Sequence, residues 1–156
     1  MKIEILCVGK IKDTYNKSLI ETYCKEIRKK NHTITIKEYP DLKILDKINE
    51  GQKQQLLSKE CERMSQEIGN GDYVIALCIE GKELTTEKHR SYIEPILSDK
   101  DKKLIYIIGG SLGLPEAIKK RGNLKLSFSK MTFPHQLMRV VLCEEVNRVL
   151  EYGNYL

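Results

Sequence analysis

The sequence lacks several features that would assign it to a well-defined class of protein. None of its apolar runs approaches the roughly 20 residues that a helix needs to cross a bilayer. Its N-terminus has no extended apolar segment followed by a small-residue cleavage site, which predicts a mature cytoplasmic protein. Five cysteines are present, but they form no C-x-x-C pair, which favours reduced, buried thiols over disulfides or a zinc site.

The residue patterns of several common chemistries are also missing. His32, His89 and His135 are not spaced as metal ligands, so no metal site is predicted. The glycine-rich stretch 109–113 is not followed by the Gly-Lys-Ser/Thr of a P-loop. No Ser-His-Asp set and no pair of carboxylates stands out, and hydrolysis therefore has little support.

The length and composition are those of an ordinary globular domain. With 156 residues, 40% of them hydrophobic and 31% charged, the chain is expected to form a single domain, 1–156, with a sizeable core. The net charge of +5 is compatible with a nucleic-acid partner. Basic residues cluster at 25–30, 100–103 and 119–121. Each cluster fits either a solvated helix end or a phosphate-binding surface.

Strands and helices alternate along the first two thirds of the chain. Lys2–Val8 predicts a first strand, and Asp13 is the expected N-cap of a helix with apolar residues at helical spacing. Thr33–Tyr39 alternates apolar and polar residues, which predicts a half-exposed strand at a sheet edge. Tyr73–Ile79 and Leu104–Ile108 are continuously apolar, which is typical of strands covered on both faces.

The remaining elements complete an α/β pattern. Helices are predicted around an apolar face that includes Leu57, after a cap at Thr85 or Thr86, and from Pro134 onward. Leu124–Ser127 is a short fifth strand. The alternation predicts an α/β fold with a mainly parallel sheet flanked by helices.

Three segments follow predicted strands, at the edge where open α/β sheets bind ligands. They are EGKEL after Ile79, GGSLGLP after Ile108 and the loop after Ser127. The glycines of the second segment allow a ligand to approach closely, although a simple tight turn also accounts for them. The third segment, 128–133, carries three large apolar side chains where loops are normally polar; they fit either a ligand wall or ordinary core.

The glycine motif and the segment LSFSKMTFPHQLMRVVLCEEV together resemble a known family. They are similar to the bacterial 23S rRNA (pseudouridine-N3)-methyltransferases of the SPOUT (α/β-knot) superfamily, from MKIEILCVGK through IEGK to Arg148. The resemblance implies a deep trefoil knot within about 104–150 that holds S-adenosylmethionine in a bent conformation. Knots are nearly absent from proteins, so periodicity alone could not have suggested one.

The resemblance also implies which residues bind the cofactor and the form of the reaction. A methyl group would pass from the sulfonium of S-adenosylmethionine to N3 of a pseudouridine without a metal. Side chains of an apolar wall would enclose the adenine, and the backbone of that wall would bond to the purine edge. The residues implied for the cofactor are Leu77, Gly109, Phe128, Ser129, Lys130, Met131, Thr132 and Phe133.

Three further residues are candidates for the catalytic step. Arg139 is the candidate for positioning the substrate, with a surface ion pair to a residue such as Glu144 or Glu145 as the alternative. His135 is a candidate for proton handling or for keeping the shape of the pocket. Tyr155 matches the tyrosine of the Tyr-His pair near the family's C-terminus, but no histidine follows it.

The altered tail leaves two functions open, an active rRNA methyltransferase and a catalytically weak paralogue that binds S-adenosylmethionine or RNA. The implied partners are 23S rRNA, in the large subunit or the assembled ribosome, and a second copy of the chain; no membrane or metal partner is expected. The apolar stripe of the last helix is expected at the interface of that homodimer, because so large a patch is rarely left exposed.

Overall fold

A five-stranded parallel sheet organises the molecule. The computed structural model describes residues 1–41, 48–110 and 112–152. The sheet has the order β2-β1-β4-β3-β5, and every neighbouring pair is parallel, which confirms the predicted fold class. The strands are β1 (Lys2–Val8), β2 (Thr33–Tyr39), β3 (Tyr73–Glu83), β4 (Lys103–Ile108) and β5 (Leu124–Ser127).

Helices cover both faces of this sheet. They are α1 (Thr14–Lys29), α2 (Glu50–Ser65), α3 (Thr86–Leu97), α4 (Glu116–Arg121) and α5 (His135–Glu151). Buried residues of α1, α3 and α5 share one core with the sheet, whereas Met64 of α2 and Ile118 of α4 belong to the core on the opposite face. The central strands β1 and β4 contribute alternate side chains to the two cores, and the continuously apolar sequence of β4 predicts this.

Local signals place most element boundaries. Asp13 caps α1 by accepting a hydrogen bond from the backbone N–H of Tyr15, and Thr85 caps α3 by accepting one from Lys88. The edge position of β2 is confirmed. Pro134 lies one residue outside α5, as its N-cap, instead of occupying the first helical position.

One prediction is wrong and another holds for only part of its residues, because contacts distant in sequence override the local pattern. EGKEL is not a loop, since β3 continues through Glu83 and pairs with β5 on both sides of an irregularity between Leu77 and Lys82. The apolar stripe expected at a dimer interface is divided between the core and the surface. Leu142, Val146, Val149 and Leu150 are buried in the core shared with α1, α3 and the sheet, whereas Leu137 is 42% exposed and Met138 and Val141 are partly buried.

The five cysteines lie in two environments. All five thiols are free; Cys7, Cys24 and Cys143 are buried as predicted, whereas Cys61 and Cys78 are partly exposed. Among the described residues, no helix has the length and apolarity required to cross a membrane. The trefoil knot implied by the family resemblance remains a prediction.

Candidate functional site

A cavity of about 470 Å³ opens at the carboxyl ends of β4, β3 and β5. Its walls come from residues 77–80 of β3, the glycine loop 109–114, the loop 128–133 and the first turn of α5. This is the edge of the sheet at which a ligand site is expected in an open α/β fold. The cavity therefore brings together the segments that the sequence places after three different strands.

Seven of the eight residues predicted to bind the cofactor line this cavity. Lys130 is the exception: it is exposed and is not among the lining residues. Leu77 comes from β3 and Gly109 from the end of β4. The other five belong to the loop between β5 and α5 and are Phe128, Ser129, Met131, Thr132 and Phe133.

The apolar loop is held by hydrogen bonds of its own serines. The Ser127 hydroxyl donates to the carbonyl of Ser129 at 3.0 Å, and the backbone N–H of Met131 donates to the Ser129 hydroxyl at 3.0 Å. Phe128 packs partly on the core, but Met131 is 77% exposed and Phe133 is 39% exposed. Large apolar side chains left exposed in this way indicate a binding surface more than a core.

The glycine loop is a tight turn that also forms part of the cavity wall. The N–H of Gly113 donates to the carbonyl of Gly110 at 3.0 Å, and Gly113 has a φ of +78°, which favours glycine. A Cβ at Gly109 would lie 2.7 Å from the carbonyl carbon and oxygen of Gly113. The tight turn that the sequence left open is therefore present, and the close approach of a ligand to the glycines stays a prediction. Ser111 of this motif lies outside the described residues.

The irregularity in β3 supplies cavity residues that sequence reasoning missed. Both Leu77 and Lys82 pair with Leu126 of β5, so Cys78–Gly81 is extra chain that bulges from the ladder. A Cβ at Gly81 would lie 2.8 Å from the backbone of Leu126, and this close approach requires glycine. The bulge places Glu80 at the cavity wall.

Glu80 forms an ion pair with Lys119 of α4, which lines the same cavity. The Lys119 ammonium donates to the Glu80 carboxylate at 2.5 Å and lies 3.6 Å from Glu116. This hydrogen bond lowers the pKa of Glu80 and raises the pKa of Lys119. Both groups are therefore charged at neutral pH. The basic cluster at 119–121 was a signal for Lys119, but it gave no indication of Glu80 as partner.

Arg139 does not line the cavity, and it pairs with neither Glu144 nor Glu145. The side chain is 2% exposed and donates to the carbonyls of Val8 at 2.8 Å and Gly9 at 2.6 Å. It also forms an ion pair with Glu38 at 2.9 Å. The alternative of a surface pair with Glu144 or Glu145 is wrong. Arg139 instead fastens the start of α5 to the end of β1.

Of the other two catalytic candidates, His135 lies at the cavity and Tyr155 lies outside the described residues. His135 begins α5, is exposed and lines the cavity. Tyr155 lies outside the described residues, as does Leu156 after it. Within the ranges that the structure describes, no group of three or more histidine, cysteine or acidic side chains could hold a metal ion.

Most residues of the basic clusters contact acidic groups or carbonyls. Arg121 donates to the carbonyls of Gly69 at 2.9 Å and Asp72 at 3.0 Å, and Lys103 donates to the carbonyl of Glu67 at 2.8 Å. Lys30 pairs with Glu151 at 2.7 Å. These contacts favour the structural explanation for these particular residues.

Comparisons with known proteins found a matching family and relatives similar over nearly the whole chain. The family described as "Predicted SPOUT methyltransferase" matches residues 1–153. The Thermoanaerobacter pseudethanolicus protein named ribosomal RNA large subunit methyltransferase H 1 is 43% identical over 156 residues, which is the full length of both chains. The protein named ribosomal RNA large subunit methyltransferase H is 42% identical over 148 residues in Streptococcus equi subsp. zooepidemicus and in Leuconostoc citreum. Each alignment covers 95% of this chain and 92% of the relative.

Proposed function

The chain belongs to the SPOUT methyltransferase family, and from this premise we propose that it is an S-adenosylmethionine-dependent methyltransferase of large-subunit ribosomal RNA. The proposed reaction methylates N3 of a pseudouridine in 23S rRNA, in the large subunit or the assembled ribosome, in the cytoplasm. The observation that carries the proposal is the cavity at the carboxyl ends of β3, β4 and β5. Whole-length similarity to proteins named as rRNA methyltransferases supports the substrate class.

The size and lining of the cavity fit S-adenosylmethionine. A volume of about 470 Å³ is within the range of small-molecule sites, roughly 300–1,000 Å³. Phe128, Met131 and Phe133 present apolar surface for a purine, and the backbone of their loop supplies donors and acceptors for its edge. When bound, S-adenosylmethionine supplies a methyl group activated by the sulfonium charge. The protein must then position the acceptor in line and assist removal of the N3 proton.

His135 is the described candidate for handling that proton, because it lines the cavity at the start of α5. We propose that Arg139 contributes indirectly. By bonding to Val8, Gly9 and Glu38 it fixes the first turn of α5, which carries His135 and continues the loop 128–133. Arg139 is thus a positioning residue instead of a direct RNA contact.

We further propose a homodimer, on a surface that shares Leu137 with the expected stripe of the last helix but otherwise differs from it. Five of the six exposed large hydrophobic residues in the described chain lie at the N-terminal ends of α1 and α5 or in the adjoining loop. These two helix ends are linked, since Gln136 accepts hydrogen bonds from the N–H groups of Lys12 and Asp13. This apolar face, beside the cavity, consists of Tyr15, Leu19, Met131, Phe133 and Leu137.

A methyl-transfer assay tests the proposed function. Ribosomes from a strain lacking its own pseudouridine-N3 methyltransferase would be incubated with the protein and S-adenosylmethionine, and the 23S rRNA analysed by mass spectrometry. One added methyl group on a pseudouridine is expected. Cofactor binding would be measured in parallel by calorimetry.

The same experiment separates the alternative function. Cofactor binding without methylation of ribosomes, subunits or free rRNA would identify a catalytically weak paralogue. Absence of cofactor binding at millimolar concentration would contradict the methyltransferase proposal itself.

A further inference from the structure

The cavity extends between the two helical layers, and its ends differ in chemistry. Lys119 belongs to α4, whose Ile118 packs in the core on one face of the sheet. Met138 belongs to α5 and packs against the core on the opposite face. Both side chains line the cavity. A ligand that fills it therefore has one end near α4 and the other near α5 and the loop 128–133.

Charge is confined to the α4 end of this cavity. Among the described lining residues, Glu80 and Lys119 are the acidic and basic side chains, apart from the imidazole of His135 at the α5 end. The neighbouring wall is apolar or glycine, including Leu112, Gly113 and Leu114. The Lys119 side chain is 18% exposed and that of Glu80 is 54% exposed, so both can reach a ligand in the cavity. Hydrogen bonds between charged groups are stronger than those between neutral groups, and a ligand that fills the cavity would displace water around them.

We propose that this ion pair binds the amino-acid end of S-adenosylmethionine, with Lys119 on its carboxylate and Glu80 on its ammonium. The ligand end carries one negative and one positive group a few bonds apart, which matches the two charges that meet at 2.5 Å. The adenine then lies at the opposite end, against Phe128, Met131 and Phe133. The proposal rests on the proposed function and adds the direction in which the cofactor lies and the residues that recognise its charged end.

The ion pair could instead serve only to hold α4 against the bulge of β3. That role and recognition of the ligand predict different binding behaviour. Loss of a structural tie would weaken every ligand of the cavity alike. Loss of a recognition contact would weaken only ligands that carry the group concerned.

Calorimetric titration with three ligands tests the proposal. S-adenosylmethionine has both charged groups, decarboxylated S-adenosylmethionine lacks the carboxylate, and 5′-methylthioadenosine lacks the whole amino-acid end. Lys119→Met is expected to weaken S-adenosylmethionine about tenfold or more, as for the loss of a charge-assisted hydrogen bond, and to leave the other two ligands nearly unchanged. Glu80→Gln is expected to weaken both sulfonium ligands and to spare 5′-methylthioadenosine.

Lys120→Met is the matched control, because Lys120 is an exposed neighbour on α4 that does not line the cavity. It should leave all three affinities unchanged. Equal weakening of all three ligands by Lys119→Met, or no weakening, would overturn the proposal while leaving the cofactor assignment intact. Failure of the unaltered protein to bind S-adenosylmethionine and 5′-methylthioadenosine would overturn the proposed function as well.

Discussion

Gly109 is required at its position by the loop to which it belongs. The sequence suggests that glycine there admits a ligand, but the nearest atoms to a Cβ would be those of Gly113, at 2.7 Å, and Leu114, at 2.9 Å. Backbone atoms cannot move aside as the end of a flexible side chain can. Any side chain at 109 must therefore displace the glycine loop from its turn.

Gly109→Ala should consequently reduce both stability and cofactor binding. Overpacking of this kind costs about 1–3 kcal/mol in the free energy of unfolding. Urea denaturation and calorimetry with S-adenosylmethionine would measure the two effects. Gly71→Ala is the control, because a Cβ there meets nothing within 4 Å. Normal cofactor affinity in Gly109→Ala would show that the loop adjusts without changing the cavity.

Arg139 shows that a residue can be important to a site that it does not touch. Its guanidinium connects α5 to two carbonyls of β1 and to Glu38, across more than a hundred residues of sequence. Glu38 also accepts a hydrogen bond from the N–H of Ile11 at 2.7 Å. The arginine thus joins three separate segments of chain.

Arg139→Met should lower the free energy of unfolding by about 3 kcal/mol, since it removes a buried charge partner and the donor to two carbonyls. Arg148→Met is the comparison: Arg148 is 65% exposed and pairs with Glu144 one turn away. Its loss should cost less than about 0.5 kcal/mol. Equal midpoints for the two variants in urea denaturation would contradict the role assigned to Arg139.

At the scale of the element, α4 combines basic residues with different functions. Lys119 faces the cavity, Arg121 bonds to carbonyls of the turn before β3, and Lys120 is exposed. A contiguous basic sequence therefore does not amount to one RNA-binding surface. Of the three, Lys120 is the residue whose charge can be changed without removing a contact described in the structure.

Lys120→Glu should weaken binding to ribosomes and flatten its dependence on salt concentration, because fewer counterions are released. Its free energy of unfolding should remain within about 0.5 kcal/mol of that of the unaltered protein. Arg121→Glu should instead lower stability by about 1–3 kcal/mol, since two carbonyls lose their donor. Sedimentation with ribosomes over a salt series, together with urea denaturation, measures both effects. Unchanged ribosome binding by Lys120→Glu would show that Lys120 is a solvated surface residue with no part in RNA binding.

For the whole molecule, the proposed homodimer depends on which surface is free to meet a second copy. Most of the stripe of α5 is buried in the internal core, so the exposed apolar face around Tyr15 and Leu137 is the surface that we propose for the partner. Because Met131 and Phe133 belong to both this face and the cavity, a partner there would also shape the substrate side of the site.

Charged residues on that face should therefore dissociate the dimer. Tyr15 is 83% exposed and Leu19 is 45% exposed, so their joint replacement by glutamate should leave the folded chain intact. Sedimentation equilibrium at micromolar concentration should show a dimer for the unaltered protein and a monomer for the double variant. Lys17→Glu, at an exposed position on the opposite side of α1, should remain dimeric. A monomeric unaltered protein would contradict the proposed interface.

The sequence by itself determined those parts of the fold that depend on neighbouring residues. The bounds of β1, β2 and β5 match their predictions, because apolar period and strand length are local properties. The capping residues Asp13 and Thr85 act within three residues of their own position. The parallel sheet follows from the alternation of strands and helices, and seven of the predicted cofactor residues meet because parallel strands end at one edge.

Only the tertiary structure decided which distant groups meet. Nothing near Arg139 in sequence indicates Val8, Gly9 or Glu38, and nothing near Lys119 indicates Glu80. Pairing with β5 makes the expected loop after Ile79 a bulged strand. Packing against α1 and α3 buries the C-terminal part of a stripe of α5 that could equally have faced a partner. Hydrophobic periodicity specifies that a face is covered, but it does not specify by what, because burial of apolar area is non-directional.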